Sequence, residues 1–161
     1  MQNPGMTNAQ VLRRLIETAA EAIQGPVEPD SPYEAVRRVI RHAGFALQEL
    51  GDSGERARAA TDLKLAAGYA EQIAASCAAV EIPAIDIETA VTITRVAQLV
   101  YLRVQDTFPA RNRDAGERVA GGLLRMTLGL QGWGVHGCEE MVDNATAARD
   151  CFADAASLAK K

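Results

Sequence analysis

Residues 83–108 read PAIDIETAVTITRVAQLVYLRVQDTF, one unbroken apolar run with helical periodicity. Placed at 100° per residue, the run has one broad apolar arc formed by Ala90, Ile93, Val96, Ala97, Val100, Val104 and Phe108. Val91, Leu99 and Leu102 lie on the opposite side, together with Arg95. A helix that is apolar on more than one side is buried on more than one side. The pattern therefore predicts a buried central helix over about 86–108, with Asp86 as its cap.

Shorter stripes on both sides of this run predict the other helices. Thr7 and Gln10 have the spacing of a capping box before a helix that ends near Gln24. Ser31-Pro32-Tyr33-Glu34 begins a second helix, with Ser as cap and Pro at the first helical position. Further stripes start near residues 52, 114 and 138. No strand-like alternation of useful length is present. The sequence thus predicts an all-α fold: a single-domain bundle of five or six helices over residues 1–161, with 1–6 as a disordered tail.

Composition excludes several functional classes. The chain is 48% hydrophobic but only 4% aromatic, so we expect a core of small side chains and closely packed helices. A net charge of −4 makes nucleic acid an unlikely partner, because phosphate binding needs a basic field. The first ten residues lack a signal pattern, and no apolar run free of charges reaches membrane-spanning length. We expect a cytoplasmic protein that does not enter the membrane.

The three cysteines are odd in number and irregularly spaced, at Cys77, Cys138 and Cys151. They match no zinc or redox signature, which favours reduced thiols. Glu-x-x-His pairs on helices, which mark di-iron sites, are also missing from the sequence. We therefore predict neither a metal site nor a cofactor.

A glycine-rich segment, GLQGWGVHG at residues 129–137, is the first candidate for a site. Glycine lets a backbone approach a ligand closely. Trp133 offers a stacking surface, His136 a group that titrates near neutral pH, and Glu139 and Glu140 follow at once. The alternative is a turn between two helices with a buried Trp, where the glycines avoid collisions. The pattern leaves open whether these residues form a helix or a loop.

Arg95 is the second candidate, because it shares its side of the central helix with apolar residues. A buried Arg needs a carboxylate or an anionic ligand. One interpretation is an anion-binding pocket with Thr92 and Tyr101 as polar neighbours. The alternative is an interface Arg in a homodimer formed through the central helix, whose second apolar side would otherwise be covered by the following helix.

A third candidate is the pair Arg37 and His42, which has the Arg-x4-His spacing of one class of helical ribonuclease domains. Two such residues arise easily by chance in an Arg-rich helix, and a solvated polar face is the simpler interpretation.

Three functional hypotheses follow. The leading one is a protein that binds a small anionic or aromatic molecule in an interhelical pocket. This hypothesis includes a small biosynthetic enzyme. Its predicted catalytic residues are His136 and Glu139, and its predicted ligand-binding residues are Arg95, Thr92, Tyr101, Trp133 and Glu140. The first alternative is a non-catalytic scaffold or regulatory homodimer. The second alternative is an RNA-directed, nuclease-like domain that uses Arg37 and His42.

Overall fold

The computed structural model describes residues 5–53 and 55–161. The α-helices in chain order are α1 (Asn8–Glu21), α2 (Pro32–Gln48), α3 (Arg56–Ala79), α4 (Ile87–Leu102), α5 (Val104–Thr107), α6 (Arg113–His136) and α7 (Cys138–Lys160). A π-helical turn, Glu49–Ser53, follows α2, and a 3-10 turn, Ala110–Asn112, precedes α6. The described residues contain no strand, which confirms the predicted all-α, single-domain fold. Residues 1–4 of the predicted tail lie outside the described residues.

The helix starts predicted from capping residues are confirmed. The Thr7 hydroxyl accepts the backbone N–H of Gln10, and the Gln10 side chain accepts that of Thr7, which completes the capping box. The Ser31 hydroxyl accepts the first free N–H groups of α2, and Asp86 accepts the N–H of Thr89 at 3.2 Å at the start of α4. Local sequence therefore determines where these three helices begin.

The bundle is held together by contacts of α3 with α7, α6 with α7, and α2 with α3. Alanine dominates these contacts, and the close approach that it permits is clearest within the α6–α7 hairpin. There Gly122 faces the ring of Phe152, and a Cβ atom on Gly122 would lie 2.6 Å from that ring. Gly137 makes the turn between the two helices with φ +88°, a conformation that L side chains rarely adopt.

The prediction of a central helix over 86–108 is wrong for the isolated chain. Helix α4 packs mainly on α6 and α1, and these neighbours cover one side of it, which includes Ile93 and Val100. The opposite side is left open: Leu102 is 74% exposed, and Arg95 is exposed as well. Helices α3 and α7 instead pack extensively on each other, and most of the residues buried on them are alanines.

The predicted run also breaks at Arg103, which separates α4 from the short helix α5. This break brings Val104 and Phe108 into the core, where the Phe108 ring packs against Gly116. No helix among the described residues combines the length and the apolar character needed to cross a lipid bilayer.

Candidate functional site

A cluster of ionisable side chains lies where the end of α2 meets α3. The Nδ1 atom of His42 lies 2.8 Å from a carboxylate oxygen of Asp62, and both side chains are about four-fifths buried, with 22% and 20% exposed. A carboxylate oxygen accepts a hydrogen bond from an Nδ1–H group, so this contact orients the imidazole ring and turns its Nε2 edge away from Asp62.

Aromatic contacts fix the ring of His42. It stacks on Tyr69 of α3 with ring centres 5.8 Å apart, and it meets the ring of Phe45 edge-on at 5.9 Å. Arg38 donates a hydrogen bond to the hydroxyl of Tyr69 at 3.3 Å and lies over the Tyr69 ring. The imidazole is therefore held in one plane before any ligand arrives.

Glu49 completes the cluster, because its carboxyl group is hydrogen-bonded to Asp62. Burial and the neighbouring charge of Asp62 raise the pKa of Glu49 to about 8, and the guanidinium of Arg58 offsets only part of this. At neutral pH the Glu49 carboxyl thus keeps its proton and donates it in the hydrogen bond to Asp62. Two carboxyl groups in contact cannot both ionise without strong repulsion.

The position of Glu49 depends on the π-helical turn that it begins. Such a turn closes over one residue more than an α-helical turn, so side chains after Gln48 leave the register of α2. Two contacts hold the turn in place. The amide of Asn112 donates to the carbonyl of Leu50 at 2.9 Å, and Gly51 lies so close to Ala9 that an added Cβ would be 2.8 Å away.

Glu49, Asp62 and Phe45 border an open cleft of about 310 Å³ between α1, α2 and α3, and His42 lies behind Asp62 without lining it. Its lining consists of Arg13, Phe45, Gln48, Glu49, Asp52, Glu55, Arg58 and Asp62. The guanidinium of Arg13 lies 4.6 Å above the Phe45 ring and donates to Gln48 at 2.8 Å. The volume is at the lower end of the roughly 300–1,000 Å³ that small-molecule sites occupy.

The arrangement contains the parts of an acid–base site. Glu49 holds a proton at neutral pH, and His42 lies against Asp62 in the same cluster. A carboxyl group whose pKa is raised toward neutral pH is a usual component of general acid–base chemistry.

The residues predicted from the sequence lie elsewhere. Trp133 is only 2% exposed, its Nε1–H donates to the carbonyl of Ile82 at 2.9 Å, and its ring stacks on Tyr33 at 6.0 Å. Trp133 therefore anchors the connection between α3 and α4. This is the buried Trp of the alternative interpretation, and residues 129–136 are helical.

Arg95 is not buried against a counter-charge within the chain. Arg95 is exposed and has no hydrogen bond or ion pair to any other residue that the structure describes. Thr92 donates its hydroxyl to the Glu88 carbonyl of its own helix at 3.0 Å, and Tyr101 is 53% exposed. Five clefts with volumes of about 220–490 Å³ were found among the described residues, and none of these five includes Arg95, Thr92 or Tyr101.

His136 and Glu139 are exposed at the α6–α7 turn. Glu140 is half-buried beside Gly132 and accepts from the amide of Asn144 at 3.5 Å. The thiol of Cys138 next to this turn contacts the backbone of Ile82. The structure therefore does not gather the predicted catalytic and ligand-binding residues around one cavity.

Arg37 has a structural role in the connection between α1 and α2. Its five guanidinium N–H groups donate to the carbonyls of Ile23, Gly25 and Pro26 and to the carboxylate of Glu34. No donor remains for a phosphate group, so Arg37 gives the nuclease hypothesis no support.

Glu49 and Asp62 were not predicted from the sequence. His42 and Phe45 are three residues apart on one face of α2, and this was the available signal, whereas Glu49 leaves that register in the π-helical turn. The pairing with Asp62 and the burial of Glu49 depend on how α3 packs on α2, which a single sequence does not specify.

The fold and the cleft together describe an all-α bundle with an acid–base cluster between its helices. No family model, no curated protein and no solved structure matches this chain.

Proposed function

We propose that this protein binds a small polar molecule in the cleft between α1, α2 and α3 and exchanges a proton with it through Glu49. The observation that carries the proposal is the partly buried Glu49 carboxyl against Asp62, which itself lies 2.8 Å from Nδ1 of His42; burial and Asp62 raise the pKa of Glu49 to about 8. The proposal keeps the small-molecule binding predicted from the sequence and moves it away from Arg95, Trp133 and His136.

The lining of the cleft indicates the class of ligand. Four carboxyl groups and two guanidinium groups face it, and one carboxyl keeps its proton at neutral pH. This balance favours a neutral or cationic molecule that donates hydrogen bonds, such as a small amine or amide, over the anionic ligand expected from the sequence. Phe45 adds one apolar wall.

The test is a screen of small amines, amides and alcohols followed by amide chemical shifts in NMR spectra. We expect saturable shifts centred on His42, Gln48, Glu49 and Asp62, which Glu49→Gln and Asp62→Asn weaken at least tenfold. Arg95→Ala is the matched control, because Arg95 is exposed and lies outside the cleft. Shifts centred on Trp133 and His136, or none at all, would refute the proposal.

A second proposal, for a scaffold or regulatory role, is a homodimer formed through α4. It is supported by the outward side of α4, where Leu102 and Tyr101 are 74% and 53% exposed. Large apolar side chains grouped on one surface are typical of protein–protein contacts.

We also propose a cytoplasmic location. Its support is the state of the cysteines, since Cys77, Cys138 and Cys151 are free and the first two are buried. Free cysteines are typical of reducing compartments.

A further inference from the structure

The outward side of α4 joins that of α1 to form one continuous surface, the α1–α4 face. Its apolar residues are Val11 and Leu15 on α1, each about two-fifths exposed, and Leu99 and Leu102 on α4. Val11, Leu15 and Leu99 line one shallow cleft of about 220 Å³ between the two helices.

The two helices run in opposite directions. The start of α1, at Asn8, shares that cleft with Arg103 and Thr107 at the end of the α4–α5 segment. The residues after α1, Gln24 and Gly25, share another cleft with residues 84–89 at the start of α4. One end of the face therefore holds the start of α1, and the other end holds the start of α4.

Exposed charges along α1 and α4 differ between the two halves of the face. Arg14, at the border of the face toward α2, and Arg103 are exposed on the half near the start of α1, where Asp106 is the exposed acidic residue, and Glu21 and Glu88 are exposed on the other half. Arg103 approaches Asp106 at 4.0 Å with both side chains more than half exposed. The side chains of Arg14, Glu21 and Glu88 form no ion pair with any residue that the structure describes.

We infer that the α1–α4 face binds a second copy of this chain, with a two-fold axis that crosses α1 and α4 at right angles. The inference rests on the proposed homodimer and specifies its geometry. Under such an axis each helix lies antiparallel to its own copy, so the basic half of one protomer faces the acidic half of the other. Glu88 then pairs with Arg103 of the second copy, and Glu21 pairs with Arg14.

The same two-fold axis passes near the midpoint of the charged pair on each helix. The midpoint between Glu88 and Arg103 lies near Arg95, about 11 Å along α4 from either residue at 1.5 Å per residue. The midpoint between Arg14 and Glu21 lies near Glu17. Both midpoints fall between the two clefts that α1 and α4 share, so the helices place them at similar levels. The apolar residues Leu15 and Leu99 then lie beside the axis, where a dimer buries them.

The experiment measures association by sedimentation equilibrium with two single charge reversals, Glu88→Arg and Arg103→Glu. The wild-type chain is expected to dimerise, and each variant alone is expected to dimerise at least tenfold more weakly, because like charges then meet twice. An equimolar mixture of the two variants is expected to recover wild-type affinity. In the mixed dimer the two substituted side chains face each other with opposite charges, and so do the unchanged Glu88 and Arg103.

A second pair of variants distinguishes loss of the dimer interface from loss of the folded structure. Leu102→Glu is expected to abolish the dimer, whereas Val135→Glu, a matched change at a 71% exposed residue of α6, is expected to leave it intact. Circular dichroism checks that each variant folds. A wild-type chain that stays monomeric at millimolar concentration overturns both the homodimer and its geometry. A wild-type dimer whose mixed variants show no recovery overturns the geometry alone.

Discussion

The carboxyl group of Glu49 is hydrogen-bonded to the carboxylate of Asp62, across the contact between the end of α2 and α3. The two carboxyl groups share one proton, because ionising both groups would place two negative charges together in a partly buried site. The pKa of about 8 for Glu49 expresses this cost, with burial as the larger cause. It leads to the first two predictions.

Glu49→Gln is expected to flatten the pH dependence of stability. Between pH 4.5 and 8 the folded wild type holds a proton that the unfolded chain has released, so its free energy of unfolding falls as pH rises. Below this window both states are protonated, and above it the loss is complete. Glutamine stays neutral throughout, so the variant should be the more stable one at pH 9, by roughly 2 kcal/mol after allowance for solvent screening. Urea unfolding at pH 5, 7 and 9 measures the effect.

The matched control for that series is Glu28→Gln, at an exposed residue of the connection between α1 and α2. It should follow the wild-type curve at every pH. Parallel curves for the wild type and Glu49→Gln would show that Glu49 ionises alike in the folded and unfolded states.

Asp62→Asn is expected to lower the pKa of Glu49 without restoring its ordinary value. The variant removes the charge that repels the Glu49 carboxylate, but burial, the larger cause, remains. Asp52→Asn is the control in the same cleft and should change the pKa much less, since Asp52 is not among the groups that shift it. The readout is the carboxyl carbon resonance of Glu49 against pH. Equal effects of the two variants would argue against the Asp62 hydrogen bond.

Two adjacent glycines of α6 should respond in opposite directions to alanine. Gly122→Ala places a Cβ 2.6 Å from the Phe152 ring and should cost about 1–3 kcal/mol. Gly121→Ala meets nothing within 4 Å and should stabilise the helix by up to about 1 kcal/mol. Thermal unfolding of both variants tests the packing of α6 on α7, and that packing would be refuted by a Gly122→Ala protein as stable as the wild type.

Trp133 should behave as a core residue, because it is 2% exposed. It is the only tryptophan, so its fluorescence reports on this site alone. Acrylamide should quench it several-fold less efficiently in the folded protein than in urea. Equal quenching in both states would instead place the indole on the surface, as a ligand-stacking role requires.

Arg95→Leu is expected to strengthen the homodimer. Arg95 lies near the inferred two-fold axis and forms no ion pair with any residue that the structure describes, so two copies bring like charges together. Removing them and adding apolar surface should lower the dissociation constant several-fold in sedimentation equilibrium. Weaker association of the variant would indicate that Arg95 binds a counter-charge on a partner.

Local signals in the sequence were sufficient for the starts of three helices, but they predicted five or six helices where the described residues form seven. The capping residues Thr7, Ser31 and Asp86 each act as predicted, because a cap depends only on its own turn. The position of α4 was not predictable in this way. Its apolar pattern shows that both sides of the helix favour contact. The pattern does not show whether the second side is covered within the chain, and in the structure that side, with Leu102 and Arg95, is exposed.

The candidate site required tertiary information for a similar reason. His42 was singled out from the sequence, whereas its partner Asp62 is twenty residues away on another helix. Glu49 begins a π-helical turn in which Gly51 lies close against Ala9 of another helix. Trp133 and His136 were singled out by residue type alone. In the structure Trp133 is buried and His136 is exposed, so they do not share one site.

The most direct test of the proposed acid–base cleft is a ¹³C NMR titration of the Glu49 carboxyl group in the folded wild-type protein. The structure predicts a midpoint near pH 8, far above that of exposed glutamates in the same spectrum. A midpoint near pH 4.5 would mean that Glu49 is ionised at neutral pH, and the proposed proton-exchanging site would then be contradicted.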